Sequence, residues 1–383
     1  MPLIERLKIS NVRNIENADL QLNPGFNLFF GKNGAGKTSV LESVSLLSLG
    51  RSFRSNKARF IIRSDQDCAS VFAEMRSLEG ENLASHKLGV AKFRSDKAKV
   101  KIDGESAKSA SELARLMPVL TVEPNSFQLL EGGPAQRRSM LDWLVFHVKH
   151  EFFSAYRDYQ RCLKQRNILL RSDRISRFDL KPWNTLLCES AQVLETLREE
   201  AAESLSELLR REFVAELDGL PIELRFRSGW PDQEYSKYSE PSVQISKYID
   251  QLDQSFDRDR RLGYTTIGAH RHDLEFRVEG QPAADVLSRG QKKQLIVCMF
   301  LALAKLFEEH NKQSPVLLLD DLPSELDKEK LGWLVGFLRR LGAQTLITSI
   351  DSASIKDLII TEDVSATWFH VKHGSVIAKT TLE

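Results

Sequence analysis

Gly31-Lys32-Asn33-Gly34-Ala35-Gly36-Lys37-Thr38 is the stretch that decides the fold. It follows an apolar run, Phe26-Asn27-Leu28-Phe29-Phe30, that reads as a short buried strand. It leads into Ser39-Val40-Leu41-Glu42-Ser43-Val44, which reads as a helix. A strand, a glycine-rich loop ending in Gly-Lys-Thr and a helix are the context of a phosphate-binding loop. Glycines let successive backbone N–H groups turn inward around a phosphate chain. The helix N-terminus adds its positive end. Lys37 is expected to reach the β- and γ-phosphates, and the Thr38 hydroxyl to ligate Mg2+. The expected ligand of Gly31 through Thr38 is ATP or a related triphosphate.

The chain has 383 residues, room for two or three domains. Lys plus Arg is 54 and Asp plus Glu is 53, so polyanion binding must come from a local patch, not from net charge. No stretch approaches the roughly 18 apolar residues of a membrane span, and Met1-Pro2-Leu3-Ile4-Glu5-Arg6 lacks the apolar core of a signal peptide. Cys68, Cys162, Cys188 and Cys298 lie far apart, which argues against a zinc site or disulfide framework and for a reducing, cytoplasmic setting.

Away from the loop, the N-terminal part reads as β structure. Leu7-Lys8-Ile9 and Ala18 to Leu22 precede the loop strand. Ser70 to Met75, Lys87 to Phe93 and Lys99 to Ile102 alternate as short strands, broken at Glu79-Gly80-Glu81-Asn82 and Asp103-Gly104. Pro118 to Val122 reads as a buried strand. The period then becomes helical. Leu141, Leu144, Phe152, Tyr159 and Leu163 recur at helical spacing, as do Leu194, Leu197, Ala201, Leu205 and Leu208. Residues 140–217 are expected to form an antiparallel helical hairpin joined by a polar loop from Arg171 to Pro182, its apolar stripe serving as core. Pro221 to Arg227 is expected as a strand, Gly229 to Pro241 as a loop, and Val243 to Leu262 as one helix. Thr265-Thr266-Ile267 and Leu274 to Val278 are expected as strands re-entering the first domain.

Pro315-Val316-Leu317-Leu318-Leu319-Asp320-Asp321 is a continuous apolar strand ending in two carboxylates. Such a run suits a central parallel strand, and an acid at its end beside a phosphate-binding loop is where a Mg2+-binding aspartate belongs. Asp320 fits that role, and Asp321 would orient and partly deprotonate the attacking water. Leu287-Ser288-Arg289-Gly290-Gln291 opens a further helix, where Ser and Gly are also ordinary capping residues.

Its place, after the helical insertion and before the Asp320 strand, resembles the signature loop of the ATP-binding-cassette (ABC) ATPases, in which Arg289 replaces a usual glycine. Ser324-Glu325-Leu326-Asp327 resembles the loop that crosses their dimer interface. The resemblance implies a nucleotide sandwiched between two heads, with Lys37, Asp321 and Ser288 catalytic. Gly31 to Thr38 would hold nucleotide from one side, and Ser288, Gly290, Gln291 and Asp327 would close on it from the other. Two positions depart from the superfamily pattern: no glutamine ends the Pro118-to-Val122 strand, where Glu123 and Pro124 stand, and no histidine follows Thr345-Leu346-Ile347-Thr348, where Ser349 and Asp351 stand.

About 250 residues separate Thr38 from Ser288, far more than in transporter cassettes and far fewer than in the long-arm chromosome-maintenance proteins. Three segments are similar to those of the RecF family of bacterial recombination mediators: Pro124 to Asp142, Leu318 to Leu334, and Thr266-Ile267-Gly268-Ala269-His270-Arg271-His272-Asp273-Leu274. The opening Leu7 to Asn14 is similar too. The resemblance implies an α/β, ABC-type ATPase head, β-rich at its N-terminus, with an inserted helical arm. The expected division is 1–135 for the first part of the head, 136–262 for the arm, and 263–383 for the rest of the head. It further implies a slow, DNA-stimulated ATPase that dimerises on ATP and acts at single-strand gaps and single-to-double-strand junctions. With RecO and RecR it would promote loading of RecA. The alternatives are a structural chromosome tether, which would need a longer arm and a hinge, and an ABC ATPase with no DNA role.

For DNA, Arg51-Ser52-Phe53-Arg54-Ser55-Asn56-Lys57-Ala58-Arg59 carries four cations and no acid. Arg51, Arg54, Lys57 and Arg59 are the expected phosphate contacts, with Phe53 stacking or anchoring the loop. Arg137-Arg138 opens a helix against its dipole, which suits either an external anion or a salt bridge. His270 and His272 are expected as hydrogen-bonded structural residues rather than metal ligands.

Overall fold

The computed structural model describes residues 2–379 except 56, 80–81, 96, 108, 232–239, 352–355, 357–358 and 360–364. The expected break at Gly80-Glu81 and most of the expected loop from Gly229 to Pro241 lie outside the described residues. By compactness the chain divides into Met1–Ser126 with Phe307–Glu383, and Phe127–Leu306. Residues 263–306, expected with the head, thus pack in the second unit.

The first unit holds two sheets. One is antiparallel, in the order Ile15–Gln21, Leu3–Val12, Cys68–Glu79, Asn82–Phe93, Ala98–Ile102, Glu105–Ser106. The other runs Ser375–Lys379, Ala366–Lys372, Phe26–Phe30, Thr345–Ser349, Val316–Leu319, Val119–Val122, parallel except at its Ser375–Lys379 edge. The loop strand is central, so its end and those of Val316–Leu319 and Thr345–Ser349 open on the same edge. That is where an open parallel sheet places its ligand.

Helix Lys37–Leu49 packs on both sheets, touching Leu3–Val12, Cys68–Glu79 and Thr345–Ser349. Its apolar Leu41, Val44, Leu46 and Leu47 are completely buried. Burying each such side chain contributes about 1.5–3 kcal/mol. The helix is covered all round, so its serines need internal partners. Ser43 Oγ donates to Ser39 O and Ser48 Oγ to Met117 O. Buried Gln344 ties the sheets together: its Oε1 accepts from Ile4 N at 2.8 Å, and its Nε2 donates to Ile4 O at 2.8 Å.

In the second unit, helices Phe152–Leu170 and Arg177–Glu212 form the expected hairpin, with Pro134–Val148 preceding them. Most of the predicted stripe, Leu141, Leu144, Tyr159 and Leu194 among it, is core. The connecting loop is shorter than expected. Ser176 and Asp179 form a capping box that starts the second helix at Arg177 and leaves Pro182 inside it. The expected helix over 243–262 is two, Pro241–Gln254 and Phe256–Leu262.

Thr265-Thr266-Ile267 is not a strand. Its polar groups are taken by Asp259 and Asn167: Thr266 N and Oγ1 donate to Asp259 Oδ1 at 3.0 and 2.6 Å, and Thr265 N to Asn167 Oδ1 at 2.8 Å. Asp259 also meets Arg166 at 2.7 Å, both fully buried. Arg166 Nε donates to Asn184 at 2.9 Å, so one ion pair links three helices and the turn. Strands Ile222–Arg227 and Asp273–Val278 pair with each other in a three-stranded sheet of the second unit. They do not re-enter the first domain.

Candidate functional site

The loop after Phe26–Phe30 needs its glycines. Gly31, Gly34 and Gly36 have φ of 151°, 75° and 117°. A Cβ on Gly31 would lie 2.2 Å from Val371 O, and one on Gly36 would lie 2.9 Å from Asn14 Oδ1. Asn14 is a clamp that sequence reading did not single out: its Nδ2 donates to Gly34 O at 3.1 Å and its Oδ1 accepts from Ser39 Oγ at 3.1 Å. Lys37 is buried, and its Nζ donates to Gly31 O at 2.6 Å and Lys32 O at 3.2 Å. Burial pulls the ammonium below its ordinary pKa, with Asp321 and then Asp320 opposing.

These residues line a cavity of about 280 Å³ that also holds Thr38, Arg54, Asp320, Asp321 and Thr348. Thr38 Oγ1 donates to Asp320 Oδ1 at 2.8 Å. Thr348 Oγ1 donates to the same oxygen at 2.8 Å and accepts from Asp321 N at 2.8 Å, so one threonine positions both aspartates. Thr348 thus takes a place at the strand end where Ser349 and Asp351 had drawn attention.

Asp321 has a left-handed backbone, φ 54°, uncommon for a residue with a side chain. Its buried Oδ1 has no hydrogen-bond partner among the described residues. Burial holds its carboxyl above the usual carboxylate range; Asp320 adds to this and Lys37 opposes. The cavity therefore presents a cation, a threonine hydroxyl, a carboxylate that accepts from two hydroxyls, and a second acid with an unused oxygen.

Arg54, expected as a DNA contact, lines this cavity: its Nη2 lies 3.0 Å from Asp320 Oδ2. The cause runs through the phosphate-loop helix. Glu42, 2% exposed, takes Arg13 at 2.6 Å and Ser52 Oγ at 2.6 Å, and Ser52 Oγ accepts from Arg54 N at 3.1 Å. Phe53 packs against the core as an anchor. Arg51, Lys57 and Arg59 are exposed. Glu123, where a glutamine is usual, has its carboxyl raised to about 7 by burial, with Asp320 and Glu42 adding to the rise and Arg54 opposing it.

Ser288 lies in the second unit, exposed. Its N donates to Gln291 Oε1 at 2.9 Å and its Oγ accepts from Gln291 N at 3.3 Å, a reciprocal cap on helix Arg289–Asn311. Gly290 is exposed beside it. Asp327 caps helix Lys328–Leu341 by accepting from Lys330 N at 2.9 Å.

Arg137 is structural, bidentate to Asp273 at 2.7 and 3.0 Å, and Arg138 donates to His272 O at 3.0 Å. His270 meets Tyr159 Oη at 2.7 Å and His272 meets Ala269 O at 3.0 Å. Among the described residues, no cluster of three or more histidines, cysteines or acids is arranged for a metal. A further basic stripe escaped the sequence reading: exposed Lys97, Lys99 and Lys101 alternate with half-buried Val100 and Ile102. Lys99 Nζ lies 5.6 Å above the Phe93 ring.

Comparison with known proteins bears on both units. The curated "DNA replication and repair protein RecF" of Teredinibacter turnerae is 41% identical, the match covering 99% of this chain and 97% of the relative. The protein of the same name from Saccharophagus degradans is 40% identical over 98% and 99%. Among solved structures, the recombination mediator protein RecF with ATP, in the RecFOR pathway, superposes with a TM-score of 0.88 at 25% identity, covering 99% and 98%. The Pyrococcus furiosus Smc head shares the fold at TM-score 0.56 and 13% identity, over 99% and 96%. The sequence matches the model of the family described as RecF/RecN/SMC N terminal domain over residues 3–372. With its phosphate loop, paired aspartates and nearly full-length likeness, this chain belongs to the RecF/RecN/SMC N-terminal domain family.

Proposed function

We propose that this chain is an ABC-type ATPase of DNA replication and repair that uses ATP to dimerise and hold gapped or junction DNA. The carrying observation is the cavity in which Lys37, Thr38, Asp320 and Asp321 converge. A bound triphosphate would draw the Lys37 ammonium from its two carbonyls onto the β- and γ-oxygens. Thr38 and Asp320 would hold Mg2+; the hydroxyl–carboxylate contact at 2.8 Å suits that donor pair. The ion would supply charge neutralisation for the phosphates. Asp321, with its unpaired oxygen, would orient the attacking water and take its proton.

Ser288, Gly290, Gln291 and Asp327 would complete the site from a second copy, and the exposure of Ser288, Gly290 and Asp327 is compatible with that role. Arg51, Lys57 and Arg59, with the Lys97–Lys101 stripe, offer cations for DNA phosphates. The relatives named DNA replication and repair protein RecF, and the solved RecF of the RecFOR pathway, support a place in recombinational repair; RecO and RecR as partners, action upstream of RecA and a cytoplasmic setting follow from the resemblance.

The test is a gel shift with gapped duplex, with and without ATP, on the wild-type chain and Lys37→Met. ATP-dependent retention lost in the variant is expected. Equal retention without ATP would overturn the gating.

A further inference from the structure

The phosphate loop has a second side. Lys32, Asn33, Gly34 and Ala35 also border a cavity of about 420 Å³ closed by His370, Val371, Lys372 and His373. It contains neither Lys37, Thr38 nor the paired aspartates, so it is separate from the cavity described above. Its volume is in the range of ordinary ligand pockets.

Its charge is one-sided. Two lysines and two histidines border it, and no carboxylate does. Among the described residues, neither the Lys32 nor the Lys372 ammonium is engaged in an ion pair. Asn33 adds an amide. Lysine ammonium, imidazole N–H and amide N–H are all donors for an oxyanion.

The walls are also fixed. A Cβ on Gly31 would meet Val371 O at 2.2 Å, and Gly374 N donates to Ala35 O at 2.8 Å. A Cβ on Gly374 would meet Asn14 O at 2.0 Å. The His370 ring stacks on Phe30, centroids 5.2 Å apart. The turn at His373, φ 48°, is therefore clamped to the phosphate loop on both sides. Such a preformed basic recess costs little ordering on binding.

We propose that this recess is a second anion site, taking a phosphate dianion independently of Lys37. The dianion can be free orthophosphate, which ATP hydrolysis itself releases, or the terminal phosphate of a small ester. The wall shared with the phosphate loop would couple the two sites, because Lys32 supplies a carbonyl to Lys37 at 3.2 Å.

The test is calorimetric titration of the full chain with orthophosphate, then with AMP in competition. The wild type is expected to show two saturable events. Lys37→Ala should keep the second, and Lys372→Gln should weaken it roughly tenfold, the loss of about one charge-assisted contact. His373→Gln should weaken it less, and both variants should still bind ATP, which shows that they fold. Competition by AMP assigns the recess to phosphate esters; its absence assigns it to orthophosphate. Phosphate binding unchanged in Lys372→Gln, or wholly lost in Lys37→Ala, would overturn the proposal. Two events persisting in Lys37→Ala would instead count against the role given to the phosphate loop and leave the recess standing.

Discussion

Arg54 Nη2 lies 3.0 Å from Asp320 Oδ2, while the other oxygen of that carboxylate accepts from Thr38 and Thr348. A cation from the basic loop thus occupies one face of the carboxylate proposed to hold Mg2+. The loop reaches there because buried Glu42, on the phosphate-loop helix, holds Ser52, and Ser52 holds the Arg54 backbone. The same helix that presents Lys37 and Thr38 therefore also places Arg54.

Arg54→Ala is expected to lower ATPase turnover roughly tenfold, as one charge-assisted hydrogen bond discounted for partial exposure. The side chain is 41% exposed, so solvent screens the pair. Lys57→Ala should leave turnover unchanged. Steady-state phosphate release on both variants separates the two residues. Unaltered turnover in Arg54→Ala would make the pair incidental.

Asp321→Asn is expected to bind ATP and cut hydrolysis by about 10²–10⁴, the usual size of a lost general base. Its buried Oδ1 has no protein partner among the described residues, and neither has Glu123 Oε2. Light scattering should show an ATP-bound dimer that persists. Wild-type hydrolysis in this variant would transfer the role to another group, with Glu123 next in line.

Much of this site was legible from residue order alone. A strand followed by glycines, Lys37 and Thr38 is the pattern of a phosphate-binding loop, and the apolar strand ending in Asp320 lies in the same parallel sheet, one strand removed from the loop strand. The contact of Arg54 with Asp320 had no local cue, because charge in a short segment says nothing of the tertiary contact that captures it; the signal lay in Glu42 and Ser52, each unremarkable singly. Thr265 to Ile267 read as strand by β-branched propensity, but Asp259 and Asn167 took its backbone and hydroxyl groups. The strand pair Ile222–Arg227 and Asp273–Val278 had no local cue to its unit, since pairing partners 46 or more residues apart leave no periodic trace.

Ser288→Arg is expected to leave ATP binding by the isolated chain intact and to abolish dimerisation and turnover, because the exposed cap would present a bulky cation where a partner's phosphates should dock. A mixture with Lys37→Met should recover at most one working composite site. Turnover measured across mixing ratios shows this. Loss of ATP binding in Ser288→Arg alone would mean that the loop acts within its own chain.

DNA affinity should depend on salt through two surfaces. Removing Lys57 or Arg59, or Lys99 or Lys101, should flatten log affinity against log salt by roughly 0.7–0.9 per lost phosphate contact. Little base specificity is expected. A salt series with ATP bound compares Lys57→Ala with Lys99→Ala. An unchanged slope in one of them removes that surface from the interface.

Acid sensitivity of the second unit follows from its buried imidazoles. Burial holds His270 down at about 4 and His272 at about 2, with Arg198 and Arg138 facing His272 and adding to the effect. Unfolded histidines take up protons near pH 6.5. Between about pH 6.5 and 4.5 the unfolded chain therefore binds two protons that the folded unit refuses, and stability is lost as pH falls. Buried Glu195 works in the opposite direction. Burial raises its carboxyl to about 7, with Arg198 opposing and Glu199 and Asp142 adding, so the folded unit keeps a proton that the unfolded chain releases above about pH 4.5. The three groups together leave a net uptake of one proton on unfolding, about 1.4 kcal/mol lost per pH unit. Glu195→Gln removes the opposing proton, and its loss should be steeper by about another 1.4 kcal/mol per unit. Urea unfolding at pH 7, 6 and 5 on the two proteins measures the difference, and effects of Glu123 in the first unit cancel in it. Equal slopes would remove Glu195 from this proton balance.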